Sequence, residues 1–151
     1  METPGKPVMT FGKKEHLVSR KTIEELFSGG NHSMVAYPVR MVYKAAGSSE
    51  APVQVLVSVS KRHFKHAVKR NRVKRQLREA YRKHKAALTD VVATTGTNHY
   101  SIAFVYLADE LFPSSVIEEK MARLLTRMAE RLSHKHSEVD KERKADEEHH
   151  Q

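Results

Sequence analysis

The chain has 151 residues, no Cys and no Trp, and 27 Lys and Arg against 18 Asp and Glu, for a formal net charge of +9. One domain is the natural unit at this length, and the lack of thiols excludes a disulfide framework, a Cys-based zinc ribbon and a thiol nucleophile. No segment reaches the roughly 20 apolar residues of a membrane span, and METPGKPVMTFGKKEHL lacks the apolar core of a signal peptide, so the expected setting is cytoplasmic.

Residues 1–16 show no periodicity and are expected to form a flexible or extended arm, followed by a folded domain over 17–132 and a charged, His-containing stretch of frayed helix or tail over 133–151. Ser19 reads as the N-cap of a short helix, RKTIEELF, with Val18 and Ile23 placed as a hydrophobic staple and Gly29-Gly30 as the stop. From Val35 to Tyr43 every odd position is apolar or aromatic, the period of a strand, and Pro38 marks an edge or a bulge. Val53, Val55, Val57 and Val59 alternate with polar residues in a second strand, expected to pair with the first as an antiparallel hairpin. A long helix begins at Ala67 with Val73, Leu77, Ala80 and Tyr81 facing inward. After a polar loop containing TTGTN, YSIAFVYLA is apolar on both faces, as a central strand requires. Pro113 and a capping box from Ser115 to Glu118 open a last helix, which carries Ile117, Met121, Leu124, Leu125, Met128 and Leu132 at helical spacing. The expected fold is α+β, a small α/β sandwich in the order α-β-β-(β)-α-β-α with a mainly antiparallel sheet.

The charge is concentrated. Residues 61–85 hold twelve Lys and Arg against one acid, Glu79, while the other 126 residues hold 15 basic and 17 acidic side chains. A block of this kind in a folded domain creates a local field suited to a polyanion, nucleic acid first and an anionic membrane surface second. On the long helix Asn71, Lys74, Arg75, Arg78 and Arg82 fall on a face next to the apolar one, so a single helix packs with one side and presents a basic ridge with another.

The segment VSVSKRHFKHAVKRNRVKRQLREAYRKHK, residues 57–85, resembles the signature of the protein subunit of bacterial ribonuclease P: a strand ending in Ser-Lys-Lys/Arg, then a helix bearing Arg-Asn-Arg-x-Lys-Arg-x-x-Arg-Glu. Here the motif runs from Arg70 to Glu79, with Tyr81 and Arg82 beyond it, and the resemblance covers roughly residues 11 to 132. It implies a left-handed βαβ crossover. It also implies two RNA partners, a catalytic RNA that uses Mg2+ and the precursor tRNA whose 5′ leader that RNA removes, with no active site, cofactor or metal on the protein and no membrane or protein partner. The implied ribozyme-binding set is Arg70, Asn71, Arg72, Lys74, Arg75 and Arg78. The implied leader cleft, between the sheet face and the basic helix, holds Phe27, Tyr43, Lys61, Arg62 and Arg82. Ile23 stands where many members carry a first cleft aromatic, and the turn His63-Phe64-Lys65-His66 is bulkier than their glycine-containing turn.

Other readings compete for the same residues. By spacing alone Phe27 and Tyr43 are core residues. His63-x-x-His66 without nearby Cys or paired carboxylates is a poor zinc site. Asp90, His99, Asp109 and Glu110 have no recognisable catalytic spacing. A ribosomal or other structural RNA-binding protein would share the ridge without needing a leader cleft, and an autonomous endonuclease would need an active site that the sequence does not display.

Overall fold

The computed structural model describes residues 10–47, 49, 51–95 and 98–149. Four strands, β1 (His32–Ala36), β2 (Val39–Ala46), β3 (Val53–Val59) and β4 (His99–Tyr106), form one sheet in the order β1-β2-β4-β3. The helices are α1 (Arg20–Phe27), α2 (Ala67–His84), α3 (Ala86–Thr95) and α4 (Ser114–His149). The fold is α+β, and β4 lies at the centre of the sheet, antiparallel to β2 and parallel to β3.

Strand alternation divides the sheet into two faces. Met41 and Tyr43 of β2, the four valines of β3 and Ile102, Phe104 and Tyr106 of β4 point to one side, where they join Val73, Leu77 and Tyr81 of α2, Leu88 and Val92 of α3, and Met121, Leu124 and Leu125 of α4 in the main core. Each such side chain, removed fully from water, contributes roughly 1.5–3 kcal/mol. On the other side Val42 and Ala103 meet Leu17 and Leu26, with Ile23, Leu56 and Val105 at the margin, so α1 and the residue Leu17 ahead of it cover part of that face.

Several local expectations are corrected. The run from Val35 to Tyr43 is two strands: the chain turns at Tyr37-Pro38, and the hairpin joins β1 to β2 instead of β2 to β3. β3 pairs with β4 and not with β2, because the connection through α2 and α3 returns the chain parallel to β3 and between the two expected partners. The helix α3 was unforeseen. Ser19 does cap α1, its side chain accepting from the Thr22 N–H at 3.3 Å, but Val18 is 82% exposed and makes no staple; Leu17 is buried in its place. α4 starts at Ser114, one residue ahead of the expected cap, and Glu118 accepts an ion pair from Lys83 at 2.8 Å where a capping box would have turned it back on the backbone.

Both ends of the domain extend it. Residues 1–9 of the expected arm lie outside the described residues, but residues 10–16 are fixed against the domain. His16 bridges Val55, and the Leu17 N–H donates to the Val55 carbonyl at 3.0 Å, which covers the free edge of β3. Lys85, almost fully buried, donates from Nζ to Glu15 Oε1 at 2.6 Å and to the Thr10 carbonyl. At the other end α4 continues as helix to His149, with His150 and Gln151 outside the described residues. Among the described residues no helix is long and apolar enough to cross a membrane.

Candidate nucleic-acid interface

The basic helix is anchored by one face. Val73, Leu77, Ala80 and Tyr81 are buried, and Gln76 Nε2 donates to the Phe112 carbonyl and to Ser114 Oγ, both at 3.1 Å, fixing the helix rotation against the start of α4. With the rotation set, Asn71, Arg75 and Arg78 are exposed and Lys74 and Arg82 partly so, and Asn71, Arg75, Arg78 and Arg82 line one groove. Arg75 and Arg78 have no ion-pair partner among the described residues. Arg82 donates to Glu79 through Nε and a terminal nitrogen, and this bond with the guanidinium holds the Glu79 carboxyl below the usual carboxylate range.

The expected ribozyme-binding set therefore separates into two. Asn71, Lys74, Arg75 and Arg78 share the ridge. Arg72 is exposed as well and stands about 60° around the helix from Arg75 at 100° per residue, so it flanks the ridge on the side away from Lys74. Arg70 turns back, donating to the Phe64 and Lys65 carbonyls at 2.8 and 2.9 Å, and so holds the turn that leads into α2. Lys85, counted in the basic block, is an internal ion-pair member with little outward field.

The implied leader cleft is rearranged too. The sheet face beneath α2 is filled by the main core, leaving no cleft there; the open part of the sheet is on the opposite face, beside α1. Phe27, at the end of α1, is 49% exposed on that side. Tyr43 is not: at 3% exposure it lies in the main core, its ring stacked on His32 at 5.0 Å and edge-on to Tyr100 at 6.4 Å, because its odd position in β2 turns it away from α1. Lys61 and Arg62 are exposed in the turn after β3, which is tied to the loop after β4 by His63 Nδ1 and Asp109 Oδ1 at 2.6 Å. Arg82 belongs with the α2 groove and not with this face. Phe64 packs inward, 5% exposed against Tyr106, and Ile23 is half-buried beside the α1 contact.

Two residues escaped the sequence reading. Arg40 is exposed on the open face in the row Val35, Arg40, Val105, Ser58 that crosses all four strands; its even position in β2 was the available signal. Phe11 lines the α2 groove from a segment that has no periodicity to mark it. Among the described residues no cluster of three or more His, Asp or Glu could hold a metal ion.

The sequence model of the family described as "Ribonuclease P" matches residues 11–129, most of the chain. The chain belongs to that family. A protein of Porphyromonas gingivalis named "Ribonuclease P protein component" is 42% identical over 123 residues, covering 80% of this chain and 88% of that one. The ribonuclease P proteins of Thermotoga maritima and Staphylococcus aureus superpose with a TM-score of 0.58 each at 19% and 18% identity, covering 75% and 77% of this chain and 96% of each of theirs. Those two likenesses establish the shared fold. The family match runs from Phe11 through the motif into α4, so it spans both the ridge and the arm that packs beside it.

Proposed function

We propose that this protein is the protein component of a bacterial ribonuclease P, acting in the cytoplasm, where it binds the catalytic RNA and the single-stranded 5′ leader of precursor tRNA. The observation that carries the reading is the outward stripe of Asn71, Lys74, Arg75 and Arg78 on a helix whose other side is locked into the core. Guanidinium groups match phosphate bidentately and stack on bases, and a ridge fixed on a rigid helix presents them without first having to be ordered. The leader is assigned to the opposite face, where exposed Phe27 offers a stacking platform and Arg40 supplies charge, with Lys61 and Arg62 exposed in the turn after β3 as further cations. Single strands are held in this way with little sequence preference, since every base has a π-face. Cleavage is assigned to the RNA with its magnesium ions. The protein's part is to offset phosphate repulsion and to position the substrate.

The test is the affinity for ribonuclease P RNA measured across a series of salt concentrations. Arg75→Ala and Arg78→Ala should each weaken binding and lower the salt slope by about one unit, with the melting transition unchanged. An unchanged slope in both variants would remove the ridge from the interface.

A further inference from the structure

Phe11 belongs to neither the motif nor the open sheet face. Its half-buried ring lines a groove of about 490 Å³ together with Asn71, Arg75, Arg78, Glu79 and Arg82 of α2. We propose that this groove is a subsite for one unpaired nucleotide of the bound RNA, with the Phe11 ring as the stacking platform and Arg75 and Arg78 as the phosphate contacts. The proposal rests on the reading of α2 as an RNA-binding ridge.

The ring is held in place from both sides along the chain. The carbonyl of Thr10 accepts from Lys85 Nζ, and the N–H of Gly12 donates to Glu15 Oε2 at 2.8 Å, while the other oxygen of Glu15 takes the same Lys85. The nearly buried ion pair thus fixes the backbone on either side of Phe11. The ring itself lies 4.0 Å from the His16 ring, centroid to centroid, and meets Tyr81 edge-on at 5.3 Å. These contacts seat the ring at the margin of the main core, and the part of it left exposed lines the groove.

The chemistry of the lining selects the occupant. Glu79 is engaged by Arg82, whereas Arg75 and Arg78 have no intramolecular ion-pair partner among the described residues, so the groove keeps two free cations beside an aromatic surface and the amide of Asn71. An acidic peptide would use the cations and leave the ring idle. A nucleotide uses both, because it carries a planar base and a phosphate on one unit, and the groove volume is within the range of small-ligand sites.

Because the chain has no Trp, Phe11→Trp places a single indole emitter in the groove. Titration of this variant with ribonuclease P RNA should quench the emission and protect the indole from acrylamide. Phe11→Leu keeps an apolar contact for Tyr81 but removes the π-face. It should weaken RNA binding by about tenfold while leaving the salt slope and the melting temperature as they are, since no charge is lost. Wild-type affinity in Phe11→Leu, or RNA binding that leaves the indole emission and its acrylamide access unchanged, would overturn the subsite and leave the ridge standing. Failure of the unaltered protein to bind the RNA would instead overturn the ridge.

Discussion

Phe27 is half exposed and Tyr43 is buried, so truncating these two aromatics should have opposite consequences. Tyr43 is 3% exposed and packed between His32 and Tyr100, so Tyr43→Ala opens a cavity in the main core and should remove roughly 3–5 kcal/mol of stability. At about 2–4 °C per kcal/mol for a domain of this size, the melting temperature should fall by roughly 6–20 °C. Phe27 is half exposed, and Phe27→Ala removes little core packing but, where a leader base stacks on it, roughly 1–3 kcal/mol of substrate binding. The assay measures substrate affinity of the reconstituted enzyme against leader length, beside thermal melting of the free protein. Phe27→Ala should lose affinity only for precursor tRNA with a leader of several nucleotides and should melt normally. Tyr43→Ala should melt early and lose equally at every leader length. A leader-specific loss in a normally melting Tyr43→Ala would refute the face assignment of β2. A leader-independent loss in Phe27→Ala would remove it from the cleft.

Glu15→Gln leaves Lys85 nearly buried and short of its charged partner, and should cost about 2 kcal/mol in thermal or urea unfolding; a stability equal to wild type would mean that the arm is not fastened by this pair. Tyr81→Phe should be neutral or stabilising by up to about 1–2 kcal/mol, because the buried Tyr81 hydroxyl has no hydrogen-bond partner among the described residues; clear destabilisation would reveal one. Burial pushes the Tyr106 phenol up to about 12, above its ordinary value of 10. The folded state therefore favours the neutral phenol, and the stability from this group is complete below pH 10 and lost as the pH rises toward 12. Alkaline unfolding that starts well below pH 10 would contradict it.

What the sequence made legible was local. Ser19, the inward face of α2 and the apolar spacing of α4 each rest on neighbours within one or two turns, and each element formed with those residues buried or capping as read. Pairing partners are not local. Alternation in β2 separates Met41 and Tyr43 from Val42, but nothing within the strand states which side receives α1 and which receives α2 and α4; the spacing of Tyr43 marks it as core, where it lies, and only the family resemblance puts it in the cleft. The parallel pairing of β3 with β4 depends likewise on where a crossover of two helices returns the chain. α3 was missed because only Leu88 and Val92 of its ten residues are buried, too few to set a period beside a polar loop. In the site, the motif identified the ridge as a group, while the roles within it depended on contacts outside the helix: Arg70 on the carbonyls of the preceding turn and Lys85 on an arm that the sequence left without structure.

The most direct test of the central claim is cleavage of precursor tRNA at low magnesium by ribonuclease P RNA with and without this protein, alongside the rigorously RNA-free protein. The protein should restore cleavage at the 5′ leader junction where the RNA alone is inactive, and the protein alone should cleave nothing. Turnover by the RNA-free protein, or no stimulation of the RNA by a protein that is shown to be folded, would contradict the account.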